Sequence, residues 1–150
     1  MKTRILKSVA ILLLISVNAI ASGNVKTSAK AALRHKLAMS IADMTKNLQF
    51  DFASAQLRPE YAERLTELAK LLKEDGSPIA LRGHADAIGQ YVPNWKLSEK
   101  RADAVRDFLV KQGVSEEKIV TTPFGSTIPI ASNKTPAGRQ KNRRVEIKLG

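Results

Sequence analysis

The sequence predicts an α+β domain: a mixed sheet with the element order β-α-β-α-β-β and helices packed on it, preceded by one extra helix. Three patterns carry that prediction. Tyr61, Leu65, Leu68, Ala69 and Leu72 share one helical face, as do Ala102, Val105, Phe108 and Leu109, and short apolar runs flank both segments. The last residues alternate, with Val145, Ile147 and Leu149 set against Glu146 and Lys148, as in a half-buried strand. Both helices are long enough to serve as crossovers, so part of the sheet is expected to be parallel.

The first residues are expected to lie outside the fold. Lys2, Arg4 and Lys7 accompany the apolar run 9–17, and Ala19-Ile20-Ala21 closes it. A basic front, a short apolar run and a small-residue end read as a secretory signal over residues 1–21. A membrane anchor is the competing reading. A spanning helix needs about 20 apolar residues, and Ser16 and Asn18 interrupt this run. Residues 22–46 read as a linker and an amphipathic helix, with Leu33, Leu37, Ile41 and Met44 at helical spacing. Packing onto the following domain is the expected role of that stripe. Docking to an outer-membrane surface or an envelope partner is the alternative.

The domain is expected over residues 47–150. Leu48-Gln49-Phe50-Asp51-Phe52 alternates as a first strand. Pro59 suits a first helical turn, and Asp75-Gly76-Ser77-Pro78 ends the helix that follows. Residues 79–84 read as a second strand, and 87–96, with Gly89 and Pro93, as a loop. Ser98 is expected to N-cap the next helix and Gly113 to end it. Residues 119–122 start a third strand, 126–140 read as a polar loop, and the closing strand follows.

Composition bounds the function. With 150 residues and no cysteine, the chain has room for one domain. Disulfides, thiolate metal sites, a cysteine nucleophile and a lipidated N-terminal cysteine are all excluded. The formal net charge of +11 favours an anionic partner or surface. A signal sequence without disulfides points to a bacterial periplasm.

The segment richest in chemistry is 82–101, RGHADAIGQYVPNWKLSEKR. It sets His84 and Asp86 at a strand end facing a helix start, where α/β folds bind ligands. With Ser98 as N-cap, Lys100 and Arg101 fall in the first turn, where a cation opposes the helix dipole at about 0.3–1 kcal/mol. A helix start that tolerates this suits a carboxylate. A merely solvated arginine is the competing reading of the spacing alone.

Four motifs occur in order: Leu48-Gln-Phe-Asp-Phe52, Gly83-His-Ala-Asp86, Asn94-x-x-Leu-Ser-x-x-Arg-Ala102, and Asn133-x-Thr-x-x-Gly-Arg-x-x-Asn-Arg-Arg-Val-Glu-Ile147. Together they resemble the OmpA C-terminal (OmpA-like) peptidoglycan-binding family over about residues 47–149. The resemblance implies non-covalent binding of peptidoglycan through the diaminopimelate residue of its stem peptide. That would tether the chain to the cell wall in the periplasm, beside the outer membrane. Asp86 matches the position that takes the ammonium of that residue, and Arg101 the position that takes its carboxylate. Asn94 matches a further peptide contact, and Asp51 and Arg144 match positions lining the same pocket. No cofactor, metal or catalytic residue is implied. Ala87-Ile88 departs from the more polar residues common there, so the rim is more apolar. The segment 122–125 replaces a more usual Gly-aromatic-Gly turn. No set of alternating membrane strands precedes the domain, so a pore is not expected.

The rivals are weaker. A cell-wall hydrolase would use Asp51 and Asp86 as its two carboxyls, but the resemblance gives both a binding role, so no enzyme is expected. His84-x-Asp86 supplies at most two of the three protein ligands of a catalytic zinc. A nucleic-acid partner would fit the charge, but the signal argues against it, as do one Trp, two Tyr and four Phe for stacking. A periplasmic partner-docking protein, using the helix at 29–44, is compatible with wall binding.

Overall fold

The computed structural model describes the backbone of residues 5–150 and the side chains of 25–46 and 48–150. Lys2 and Arg4 of the expected signal lie outside the described residues. The chain divides into two compact units, Met1–His35 and Lys36–Gly150. Helix α1 runs Ile5–Asn47, and within 25–35 only Leu33 is half-buried. Among the described residues no helix is long and apolar enough to cross a membrane.

The second unit begins with the last turns of α1, ahead of the expected boundary at residue 47. Leu37, Ile41 and Met44 are buried there, so this part of the stripe packs on the domain itself. Arg64 pairs with Asp43, and Lys36 Nζ lies 2.8 Å from Glu67 Oε1. These exposed pairs fix direction more than they stabilise.

A 3-10 turn at Pro59–Tyr61 leads into α2, Ala62–Asp75, which buries Leu65, Leu68, Ala69, Leu71 and Leu72. Gly76 ends it at φ +75°, donating its N–H to Leu72 O, a left-handed closure that glycine adopts without Cβ strain. Strand β1, Ile79–Gly83, is the centre of a three-stranded sheet. Helix α3, Tyr91–Lys111, crosses to β2, Ile119–Pro123, which pairs parallel to β1 with Leu81 opposite Thr121. After a short α4, Pro136–Asn142, the chain returns as β3, Val145–Leu149, antiparallel to β1 with Leu81 opposite Ile147. The strand order is β2-β1-β3, a mixed sheet with helices against it, as predicted. Two lysines tie the helix ends together: Lys73 Nζ donates to Gln112 O and Lys118 Nζ to Gly76 O.

Three local expectations are corrected. The strand expected at 48–52 is a single bridge, Gln49 to Arg144, flanked by bonds from Phe50 N–H to Arg143 O and Val145 N–H to Leu48 O. Beyond it the chain bends: Ser54 N–H bonds to Asp51 O, and Ala53 sits at φ +54°. Helix α3 starts at Tyr91, so Ser98 is not its N-cap, and Gln90 precedes the helix. Pro93 falls in the first turn, where an N–H has no partner to lose. The polar stretch 126–140 hides α4, whose N-cap Thr135 accepts from Gly138 N–H at 3.1 Å, with Pro136 in the first turn.

The outer edge of β3 is covered. Thr45 Oγ1 donates to Ile147 O and accepts from Ile147 N–H, both at 3.0 Å. A side chain thus satisfies both backbone groups that Ile147 turns away from β1, and it blunts an edge open to pairing.

Candidate functional site

The buried face of α3 changes character along its length. Its first half buries Asn94, Ser98 and Arg101, and its second half Ala102, Val105 and Leu109. The polar half lies against the C-terminal end of β1, and Gly83 makes the approach possible. A Cβ there would stand 1.9 Å from Ser98 O, so only glycine lets the helix backbone come this close. Ser98 Oγ donates to Trp95 O and accepts from Gly125 N–H, which fastens the loop after β2 to the same helix.

Arg101 is fully buried and meets no carboxylate in a salt bridge among the described residues. Its Nε donates to Ser54 O at 2.8 Å, Nη1 to His84 O at 2.9 Å and Nη2 to Asp51 O at 3.0 Å. The Phe50 ring lies 5.5 Å from its Cζ. A guanidinium has five N–H donors, so one N–H on each terminal nitrogen is left for a ligand. Burial pulls its pKa down to about 10; nearby Arg143 adds to the fall and Asp86 opposes it. A cation bonded only to carbonyls, with the Asp86 carboxylate near but shared with Arg143, is an expensive arrangement unless a further anion comes to it. The bend at 51–54 exists to serve this side chain: it turns the carbonyls of Asp51 and Ser54 inward.

Asp86 follows β1 and is 3% exposed. Its Oδ1 accepts from Ile88 N–H at 3.0 Å and its Oδ2 from Arg143 Nη1 at 2.7 Å. Asn94 Nδ2 donates to Asp86 O and Ile88 O, bracing the loop. These groups line a cleft of about 220 Å3 with Phe52, Ile88, Leu97 and Arg143. The structure therefore brings Asp86, Arg101 and Asn94 together. Arg101 lies in mid-helix, however, and the first-turn dipole argument does not apply to it.

Two expected positions lie elsewhere. The Asp51 carboxylate turns away to Arg58 Nη2 at 2.5 Å, and Asp51 reaches the site only through its carbonyl. Asp51 and Asp86 thus do not face one another as a hydrolase pair would. Arg144 is buried against Glu146, with Nη2 to Oε1 at 2.5 Å, and also reaches Ile128 O. Arg143 takes the place expected of Arg144. It bonds Asp86, Phe50 O at 3.1 Å and Gln140 Oε1. The alternation that identifies β3 carried this signal: Arg144 and Glu146, two apart, share one face, and Arg143 takes the other.

His84, beneath the loop, is 2% exposed and stacks on Phe124 at 5.3 Å between ring centroids. Neither ring nitrogen has a hydrogen-bond partner. Burial lowers its pKa to about 4; Arg144 and Arg82 act the same way and Glu146 opposes them. Burial acts to raise the Glu146 carboxyl, but the Arg144 hydrogen bond and charge, with His84 and Lys148, together outweigh it and hold it below the usual range. No group of His, Asp and Glu among the described residues could hold a metal ion.

The motif asparagines are braces. Asn142 Oδ1 accepts from Ile130 and Ala131 N–H, and its Nδ2 donates to Asn133 Oδ1. Asn133 Oδ1 also accepts from Ala87 N–H at 3.1 Å, linking this loop to the one that carries Asp86.

The chain is similar to known proteins across this region. The OmpA family model matches residues 49–143. The sequence is 43% identical over 110 residues to the probable lipoprotein YiaD of Escherichia coli (strain K12), covering 73% of this chain and 50% of that protein. It is 43% identical over 101 residues to the peptidoglycan-binding protein ArfA of Mycobacterium bovis, covering 67% of this chain and 31% of that protein. The crystal structure of the peptidoglycan-associated lipoprotein from Burkholderia pseudomallei superposes with a TM-score of 0.65 at 30% identity, covering 69% of this chain and 88% of that one. The chain thus spans half or less of the length of these two sequence relatives. The family match runs from the bridge at Gln49 to Arg143 and takes in every residue that lines the cleft, and on that ground the chain belongs to the OmpA family.

Proposed function

We propose that this chain binds peptidoglycan without breaking a bond, holding the diaminopimelate residue of the stem peptide between Asp86 and Arg101. One observation carries the reading: a fully buried guanidinium bonded only to carbonyls, with free N–H donors beside a buried carboxylate. The free end of diaminopimelate has an ammonium and a carboxylate on one carbon. Arg101 takes the carboxylate, and Asp86, already neutralised in part by Arg143, takes the ammonium. Asn94 holds the loop that presents Asp86. Asp51 contributes its carbonyl to the cage around Arg101, and Arg143 replaces Arg144 as the pocket cation. Relatives that carry peptidoglycan in their names support the class of ligand. The signal-like segment supports a periplasmic location, where that ligand is. Pelleting with purified sacculi tests the reading: the parent chain pellets, and the Asp86→Ala/Arg101→Ala chain stays in the supernatant. Equal pelleting of the two would overturn it.

A further inference from the structure

Beside this cleft lies a second depression of about 250 Å3, walled by Phe52, Ile88, Pro136, Arg139 and Arg143. Phe52, Ile88 and Arg143 line both, so the two form one continuous trough. At the junction, Phe52 is 59% and Ile88 47% exposed. Arg139, from α4, is anchored through Nη1 alone, to Asn133 O at 2.9 Å and Lys134 O at 3.2 Å. Its Nε and Nη2 are left as donors, and no carboxylate among the described residues pairs with it.

The charges do not balance for a zwitterion alone. In the first chamber Arg101 and Arg143 face the single carboxylate of Asp86. An amino-acid end with one ammonium and one carboxylate is neutral and leaves that excess in place, and Arg139 adds to it. A ligand complementary to the whole trough carries a further anion, with a short apolar stretch between to cover Phe52 and Ile88. We propose that Phe52, Ile88, Pro136 and Arg139 form a second subsite for a peptide carboxylate. Its occupant is the free C-terminal carboxylate of a small residue following the diaminopimelate. The proposal rests on the peptidoglycan reading and adds a preference for stem peptides whose C-terminus is charged.

Calorimetric titration of the full chain with two soluble diaminopimelate tetrapeptides tests it. The peptides are identical except that the C-terminal carboxylate is free in one and amidated in the other. The parent binds the free acid about tenfold tighter, as one charge-assisted hydrogen bond provides. Arg139→Gln removes that preference. Ile88→Glu removes it as well, by placing a competing carboxylate in the subsite while leaving the Arg139 anchor bonds in place. Equal affinity of the parent for both peptides overturns the subsite and leaves the Asp86–Arg101 site standing. So does an Arg139→Gln chain that loses both peptides in equal measure, since that marks a loop effect. If neither peptide binds the parent, the peptidoglycan reading falls, and the subsite with it.

Discussion

In the proposed site recognition turns on Arg101, and its replacements separate charge from geometry. Lysine keeps the charge, but its three donors cannot serve three carbonyls and a carboxylate at once. Arg101→Lys and Asp86→Ala are each expected to cost about 2–4 kcal/mol of stem-peptide affinity, roughly thirty- to a thousand-fold. Calorimetry with diaminopimelate and lysine stem peptides measures it. The lysine peptide lacks the terminal carboxylate, so it binds more weakly and is insensitive to Arg101→Lys. His84 makes a separate prediction. The unfolded imidazole titrates near 6.5 and the folded one near 4, so between those values only the unfolded chain takes up the proton. Its contribution to stability is full above about pH 6.5 and declines as the pH falls toward 4, by on the order of 3 kcal/mol. His84→Phe keeps the stack on Phe124 and removes two nitrogens without hydrogen-bond partners, one of them 3.7 Å from Glu146 Oε1. The fall in melting temperature between pH 7 and pH 4 should therefore be smaller in that variant than in the parent. Of the candidate site, the resemblance of the four motifs named Asp86, Asn94 and Arg101, which line one cleft. The reason first offered for Arg101 was not the operative one, because the arginine is caged in mid-helix rather than placed at a helix start. Arg143 was missed because two adjacent arginines look alike until the strand phase assigns each a face.

At the scale of elements, the period-3.6 and period-2 patterns located α2, β1, the second half of α3, β2 and β3. What they missed has a physical cause in each case. Residues 48–52 alternate like a strand, but Arg101 draws the carbonyls of Asp51 and Ser54 out of line, so tertiary bonding overrides local preference. The first turns of α3 bury Asn94 and Ser98 rather than apolar residues, and the apolar stripe that marks a helix is absent there. In α4 the signal was the Thr135-Pro136 start, which a polar surrounding masked. The last turns of α1 belong to the core, which gives two expectations. Leu37→Ala should lower stability by about 2–4 kcal/mol, the usual cost of a cavity at a fully buried leucine. Thr45→Val leaves the N–H and C=O of Ile147 without their partner and should cost about 1–3 kcal/mol. Urea unfolding followed by circular dichroism reads both. A change within 0.3 kcal/mol of the parent would show that the helix end and the strand edge are energetically separate.

For the whole molecule, the formal net charge, +11 for the full sequence and +8 from Ser22 onward once Lys2, Arg4 and Lys7 are gone, concerns approach more than grip. In the proposed binding, exposed lysines steer the chain to an anionic wall over distances that salt screens, whereas charges buried in the cleft are screened much less. Raising salt from about 0.05 M to about 0.5 M should slow association with sacculi and leave most of the equilibrium binding, and Lys111→Ala should change only the salt-sensitive part. Association kinetics on immobilised sacculi separate the two. Mass spectrometry of the protein from its native cell tests the export reading: a mature start near Ser22 is expected, and an intact Met1 end in washed membranes would mean an anchor instead. The cage around Arg101 carries one more consequence. Its three carbonyls come from Asp51, Ser54 and His84, and its side chain from α3. The guanidinium that would hold a ligand is thus the same group that joins the 51–54 bend to the sheet end. Opening that bend dismantles the site, so a bound stem peptide protects the bend from opening. Ligand at a hundred times its dissociation constant adds about 2.7 kcal/mol to the native state. Amide hydrogens in and around 51–54 should then exchange with deuterium roughly a hundred times more slowly on the wall than free in solution.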